Sequence, residues 1–361
     1  MKAVIIAGGY GTRLRPLTYN TPKPIVPVAN LPFVLHQIEL LRRHGIKEVV
    51  LNLHYLMGNI QDILEDGKKH GVKIHYSIEK YPLGTAGAVK NAEEFFDDEP
   101  LIVINGDILT DIDLTAMIAL HKKKKAKVTL SLTRVEDPTA YGLVLADHDG
   151  RITHFVEKPS WEKLSLYASY GATDRINAGF YVIDPSVFKD VPKGKEHSFE
   201  RQLFPSLLEA GAPMYAYYSD RYWIDIGKPS QYRQAHEAIL RSEVEVKLGG
   251  AKDGHGVWLG EGVKIDKTAK VVGPTLIGDK VVVGPETKIN EYSIIGHDVT
   301  IGAESLLERA IVWQGSKIGN HVNLSGCIVG FNCTIKDDVR IGEGVILADN
   351  SVIERGSIIN A

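Results

Sequence analysis

Short apolar runs alternate with longer amphipathic stretches over the first ~240 residues, the rhythm of an α/β domain. The apolar runs predict strands at Ala3–Ala7, Glu48–Leu53, Val72–Ser77, Leu101–Ile104, Lys127–Thr133, Ile152–Val156 and Ala178–Ile183. Several carry no polar alternation, as strands buried on both faces do. The amphipathic stretches predict helices at Leu31–His44, Asn59–His70, Thr85–Phe96, Leu114–Lys123, Ser198–Ala210 and Pro229–Ser242.

The period then changes. From Leu259 an aliphatic residue returns at every sixth position: Leu259, Ile265, Val271, Ile277, Val283, Ile289, Ile295, Ile301 and Leu307. Trp313 takes the next slot. The count slips by one to Ile318, holds at Leu324, slips again to Val329, and runs on through Ile335, Ile341, Leu347, Ile353 and Ile359. Glycine often follows the aliphatic residue, as at Gly260, Gly278, Gly284, Gly296 and Gly302. A six-residue period of this kind predicts a parallel β-helix, with one inward aliphatic per short strand and a small residue at each corner. The expected organisation is therefore an α/β domain over 1–245 and a hexapeptide-repeat β-helix over 246–361.

Composition narrows the function. The 361 residues carry a formal charge of −3, which argues against a non-specific nucleic-acid binder. No apolar run reaches membrane-span length, so a soluble, cytoplasmic protein without a membrane partner is expected. Cys327 and Cys333 match no zinc spacing and are too few for a disulfide framework.

Candidate chemistry begins where the first strand ends. Ala7-Gly8-Gly9-Tyr10-Gly11-Thr12-Arg13 leads into a proline-rich loop that reaches Lys23. It lacks the Walker A pattern. A dinucleotide fingerprint fails too, because Leu14 stands where the third glycine belongs and Pro16 forbids an immediate helix. What remains is an ordered loop whose glycines let backbone N–H groups approach an anion, with Arg13 as a planar fork and Lys23 as a point charge.

Taken with five later segments, this loop resembles the signature of the sugar-1-phosphate nucleotidyltransferases. The segments are Leu83-Gly84-Thr85-Ala86-Gly87, Asn105-Gly106-Asp107, Phe155-Val156-Glu157-Lys158-Pro159, and Asn177-Ala178-Gly179 with Trp223-Ile224-Asp225-Ile226-Gly227. The resemblance implies a Rossmann-like (GT-A-like) α/β domain with a mostly parallel sheet, then a left-handed parallel β-helix. It implies attack by a sugar 1-phosphate on the α-phosphorus of a nucleoside triphosphate, with release of pyrophosphate. A phosphate monoester has a second pKa of about 6 and needs no general base at pH 7, so catalysis would be positioning and charge neutralisation.

The same resemblance implies the roles. Arg13 and Lys23 would be catalytic. Ala7, Gly8, Gly9, Gly11, Thr12, Arg13, the segment Leu83, Gly84, Thr85, Ala86 and Gly87, and Asn105 with Asp107 would hold the nucleotide. Gly142, Glu157, Lys158 and Asn177 would hold the sugar phosphate. Asp107 and Asp225 would bind Mg²⁺. Within the family the likeness is to the guanylyl-transferring type with a β-helix tail, which implies GTP and mannose 1-phosphate as substrates.

Three other readings share parts of the pattern. One is a thymidylyl- or uridylyltransferase acting on glucose 1-phosphate on the same scaffold. Another is a non-catalytic regulatory homologue, which would have no need to keep Arg13, Lys23, Asp107, Lys158 and Asp225 together. The third is a bifunctional enzyme whose tail transfers acetyl groups through a histidine; His255, His297 and His321 read instead as surface corners. The tail is expected to serve homo-oligomer assembly.

Overall fold

A computed structural model describes residues 1–167 and 174–361. By mutual contact the chain divides into two units: Met1–Tyr10 with Gln37–Asp225, and Gly11–His36 with Ile226–Ala361. Among the described residues no helix is long and apolar enough to cross a membrane.

In chain order the strands are β1 (Ala3–Ile6), β2 (Pro27–Val28), β3 (Leu31–Pro32), β4 (Glu48–Leu53), β5 (Lys73–Ile78) and β6 (Leu101–Asn105). They continue with β7 (Ile108–Thr110), β8 (Val128–Arg134), β9 (Gly142–Ala146), β10 (Ile152–Glu157), β11 (Arg175–Ile183), β12 (Met214–Tyr218) and β13 (Trp223–Asp225). The first unit is built on a nine-stranded sheet in the order β10-β9-β11-β6-β1-β4-β5, with β8 pairing both β11 and β12. The run β6-β1-β4-β5 is parallel throughout, which is the Rossmann-like half. β11 joins it antiparallel against β6. A separate two-stranded sheet pairs β13 with β7.

β1 explains why the sheet centres where it does. Ala3, Val4 and Ile5 are fully buried, and β1 pairs on both sides, Ala3 opposite Val49 and opposite Ile102. Burying a side chain such as Val4 or Ile5 stabilises by about 1.5–3 kcal/mol. One core cluster joins Val4 and Val103 to Leu130, Tyr181, Phe199 and Phe204. The expected helix at Ser198–Ala210 opens as a π-turn over Phe199–Leu203, with Leu203 N–H donating to the Ser198 carbonyl at 3.0 Å, before Phe204–Glu209 becomes α-helical; the Ser198 hydroxyl caps the N–H groups of Glu200 and Arg201. The predicted strands do not include β9, β12 and β13; β13 has only three residues, whereas β9 and β12 are apolar runs that the prediction passes over.

The second unit contains three parallel ladders whose strands recur coil after coil. Ile277, Ile295, Val312 and Val329 stack in one ladder, Val283, Ile301, Ile318 and Ile335 in the next, and Ile289, Leu307, Leu324 and Ile341 in the third. All of these point into one continuous core. This is the parallel β-helix that the period predicts, with the left hand that the family resemblance implies. Its corners demand left-handed backbone, and Lys280, Glu286, Tyr292, Asp298 and Glu304 supply it six residues apart with φ of 55–61°.

One expectation is corrected. Val312, and not Trp313, fills the inward slot after Leu307, because the turn through Arg309 (φ 48°) is one residue short. Trp313 follows Val312 as Gly296 follows Ile295 and Gly330 follows Val329, so it stands at a corner where those coils carry glycine. The boundary between residues 245 and 246 lies after the helix Pro229–Leu240 and before the first ladder strand, and we keep it as a proposal.

Candidate functional site

In the first unit, β6 delivers Asn105-Gly106-Asp107 to the end of β1. Gly106 N–H donates to the Ile6 carbonyl at 2.9 Å, and a Cβ on Gly106 would stand 2.5 Å from that oxygen. Only glycine allows this approach. The Gln37 amide holds the turn by donating to the carbonyls of Asn105 (3.0 Å) and Ile108 (3.1 Å). In the β7–β13 ladder Asp225 stands opposite Ile108, the residue after Asp107. Two half-buried carboxylates thus come from strands that lie far apart in sequence.

β11 brings the next group. Its bulge between Asn177 and Tyr181 presses Gly179 (φ 76°) against Asn105, and a Cβ there would stand 2.8 Å from the Asn105 amide nitrogen. Asn177 donates to the Tyr181 hydroxyl at 2.8 Å and accepts from Gly179 N–H at 3.1 Å. Trp223 donates from its indole to the Ala178 carbonyl at 2.9 Å, tying β13 to the same bulge. Asp107, Asp225, Asn105 and Asn177 therefore belong to one neighbourhood.

Glu157 and Gly142 are register partners across β10 and β9. A Cβ on Gly142 would stand 2.8 Å from the Phe155 ring and 3.1 Å from Glu157 Oε2. Burial, and then the nearby Glu200 carboxylate, raise the Glu157 pKa; Lys158, 3.6 Å away, opposes them. Lys158 itself is mostly exposed and sits at φ 46°, which turns the chain just before Pro159.

Leu83–Gly87 opens the helix Gly84–Asn91. Leu83 and Ala86 are buried, and the segment is clasped by a strand of chain from far downstream. Gly87 N–H donates to the His197 carbonyl, His197 N–H donates to the Leu83 carbonyl, and Gly84 (φ 70°) leaves only 2.8 Å between an added Cβ and that same His197 oxygen. The Thr85 hydroxyl donates to Glu200 Oε2 at 2.9 Å and accepts from Phe199 N–H. What this segment offers a ligand is mainly backbone.

Sequence reasoning missed Glu79. It is nearly buried, its Oε2 accepts from Leu83 N–H at 3.0 Å, and its Oε1 would lie 3.1 Å from a Cβ on Gly8. Burial raises its pKa. His54 donates from Nδ1 to the Glu79 carbonyl (2.9 Å), which leaves Nε2 to accept from the Tyr10 hydroxyl (3.0 Å). Glu79 follows the mixed-polarity strand Lys73–Ile78, so nothing in the local pattern marks it as buried. Glu200 was missed as well; nothing local marks it, since its partner Thr85 is distant in sequence.

Ala7, Gly8 and Gly9 belong to the first unit; Gly11, Thr12, Arg13 and Lys23 belong to the second. Ala7 N–H donates to the Asn52 carbonyl at 3.0 Å, and nothing lies within 4 Å of a Cβ on Gly9. Gly11 adopts φ 63°, and its carbonyl accepts from the Thr18 hydroxyl (2.8 Å) and from Leu14 N–H. A short 3₁₀ turn, Thr12–Leu14, then leaves Arg13 exposed. The Arg13 guanidinium lies against Gly227, 3.0 Å from where a Cβ would be, which accounts for that glycine. Lys23 opens a second 3₁₀ turn, Lys23–Ile25.

In the tail, His297 is more than a surface corner. Its Nδ1 accepts from Asp279 N–H at 2.9 Å, which leaves Nε2 to donate to the Asn30 carbonyl at 3.4 Å.

Comparison with known proteins gives this arrangement a family. Residues 254–359 match the EIF2B subunit epsilon LbH domain. A UTP--glucose-1-phosphate uridylyltransferase of Synechocystis is 34% identical over 94% of this chain and 90% of that protein. A mannose-1-phosphate guanylyltransferase of Mycobacterium tuberculosis is 35% identical over 85% of this chain and 83% of its own length. The crystal structure of HddC from Yersinia pseudotuberculosis complexed with GMP-PN is similar at a TM-score of 0.55 and 32% identity, over 66% of this chain and 99% of that one. Since residues 2–242, from β1 through the helix Pro229–Leu240, match the Nucleotidyl transferase family, the chain belongs to that family.

Proposed function

We propose that the protein makes a nucleoside diphosphate sugar and pyrophosphate from a nucleoside triphosphate and a sugar 1-phosphate, with GTP and mannose 1-phosphate as the preferred pair. The observation that carries this reading is the β7–β13 pairing, which brings Asp107 beside Asp225 next to the Asn105 and Asn177 turns. Two carboxylates suit Mg²⁺, a hard cation that completes its shell with phosphate oxygens and water. Among the described residues no three His, Cys, Asp or Glu side chains form a protein cage, so the pair fits an ion shared with substrate. When bound, the ion would supply neutralising charge to the phosphate oxygens and the departing pyrophosphate.

The chain's own residues do the rest. Gly8, Gly9, Gly11 and Arg13 hold the triphosphate by backbone N–H groups and a bidentate guanidinium. Lys23 neutralises charge at the α-phosphate. Lys158 holds the phosphate of the sugar, and Glu157 and Asn177 accept or donate to its hydroxyls. Each is a contact worth a few kcal/mol where charge develops.

Glu79 supports guanine as the base. A carboxylate pairs with the two adjacent donors of guanine, N1–H and the N2 amine. Uracil presents one donor between two carbonyls, which a carboxylate repels. Pairing would also offset the burial that raises the Glu79 pKa.

The last coil leaves Val352 (58% exposed) and Ile358 (68%) on open ladder edges, which supports assembly with further copies; a monomer in analytical ultracentrifugation would end that part of the reading. The decisive experiment measures pyrophosphate release with Mg²⁺ over GTP, dTTP, UTP, ATP and CTP against mannose, glucose and N-acetylglucosamine 1-phosphates. GTP with mannose 1-phosphate should be the best pair. UTP with glucose 1-phosphate as the best pair would overturn the base assignment and keep the reaction. No release with any pair would overturn the reaction.

A further inference from the structure

The first face of the β-helix differs from the other two. Its outward positions, Leu276, Ile294, Ile311 and Ile328, are at most 3% exposed, whereas Lys264, Val282, Lys317 and Arg340 on the other faces are exposed. Contacts to the β-helix from the helix Pro229–Leu240 and from the loop Gly11–His36 include Arg309 donating to Glu237 and the three described next. Trp313, the corner residue that replaces glycine, donates from its indole N–H to the Tyr232 hydroxyl at 3.0 Å. That hydroxyl in turn donates to the Pro27 carbonyl. Both rings are fully or almost fully buried. At the hairpin tip between β2 and β3, the Asn30 amide donates to the Ile295 carbonyl at 2.8 Å, and His297 reaches the Asn30 carbonyl. Thr21 donates to Asp349 at 3.3 Å.

These anchors sit within a few residues of the proposed phosphate ligands. Pro27 follows the turn Lys23–Ile25, which closes by Val26 N–H donating to the Lys23 carbonyl. A Cβ on Gly11 would stand 3.3 Å from Lys23 Cβ, so the glycine turn and the lysine turn pack together. The loop is a 26-residue excursion that ends in the first turn of the helix Phe33–Arg43; before that it has two short turns and one two-residue ladder of its own, and so little regular structure to fix itself.

We infer that Tyr232 and Asn30 are positioning residues for the reaction: through Trp313 and the Ile295 carbonyl, the β-helix sets the placement of the loop that carries Arg13 and Lys23. The tail is then part of the nucleotide-binding apparatus as well as a module for assembly. This rests on the reading that Arg13 and Lys23 hold the triphosphate. The Tyr232 hydroxyl both donates and accepts, so its removal takes the partner from a part-buried carbonyl and from a buried indole N–H and frees the loop.

The test uses the full chain. Arg13→Ala and Lys23→Ala come first, and unchanged turnover in both would sink the reading of the loop itself. Tyr232→Phe, Trp313→Phe and Asn30→Asp then probe the anchors, with Lys288→Thr on another face as control. The anchors' loss should raise KM for GTP about tenfold, and leave KM for the sugar 1-phosphate within about twofold, since its proposed ligands are elsewhere. Amide hydrogen exchange over 12–28 should quicken while Leu324 in the helix core keeps its protection. A lowered Tm with nucleotide KM unchanged in the folded variants overturns the inference, whether or not loop exchange quickens. If one anchor variant fails to fold, the other two carry the test.

Discussion

The nine-stranded sheet and the β-helix draw on the same aliphatic residues, yet one hides its plan in the sequence and the other displays it. In the β-helix each strand pairs with the strand one coil on, Ile277 with Ile295 and Ile289 with Leu307. In the nine-stranded sheet β8 pairs with β12 across three strands that intervene in sequence, and in the small sheet β7 pairs with β13, which is distant in sequence. Near-neighbour pairing makes periodicity sufficient; distant pairing makes it insufficient. The candidate site follows the second rule, since Asp107 and Asp225, Thr85 and Glu200, and Asn105 and Gly179 all meet across long stretches of chain.

The largest expected effect breaks the site and spares both cores. Asp107→Asn or Asp225→Asn should lower turnover by about 100-fold or more in a steady-state assay, with Tm little changed. Equal loss of Tm would mean the carboxylates are structural. Leu324→Ala then tests the near-neighbour rule. It should destabilise by about 2–5 kcal/mol in denaturant titration, with hydrogen exchange quickening along the β-helix while β1 stays protected. Loss of protection in β1 as well would show that the two units unfold as one.

A smaller effect concerns the base. Glu79→Gln should raise KM for GTP about tenfold and narrow the preference over UTP, because one acceptor becomes a donor. An unchanged ratio would remove Glu79 from base recognition. The smallest effect lies in acid. Burial holds His121 in the first unit and His236 in the second down to about 4, below the ordinary 6.5. Each must fold uncharged, so stability should fall as pH drops below about 6.5 and level off near 4. His121→Gln should flatten the melt of the first unit in that window and His236→Gln that of the second; slopes that stay unchanged would assign the acid sensitivity elsewhere.

Much of this was legible. The strands β1, β4 and β6, the repeat from Leu259 onward, and the glycine-arginine-lysine loop all announce themselves within a few residues. The slip at Val312 was misplaced by one because Trp313 is as apolar as the residue it follows, and only the ladder register separates inward from corner positions. Glu79 and Glu200 escaped because an acid gains meaning from what it meets, Gly8 and Leu83 in one case and Thr85 and Glu157 in the other.

The sequence by itself determined the β-helix, the parallel half of the sheet and the residue types of the site, because hydrophobic period and backbone-permissive glycine act over short distances. Only the tertiary structure decided that Asp225 stands beside Asp107's turn, that a downstream segment clasps Leu83–Gly87, and that the loop from Gly11 to His36 belongs with the tail. Those outcomes depend on which distant surfaces fit, and the free energy of that fit is spread over many buried contacts rather than written at any one position.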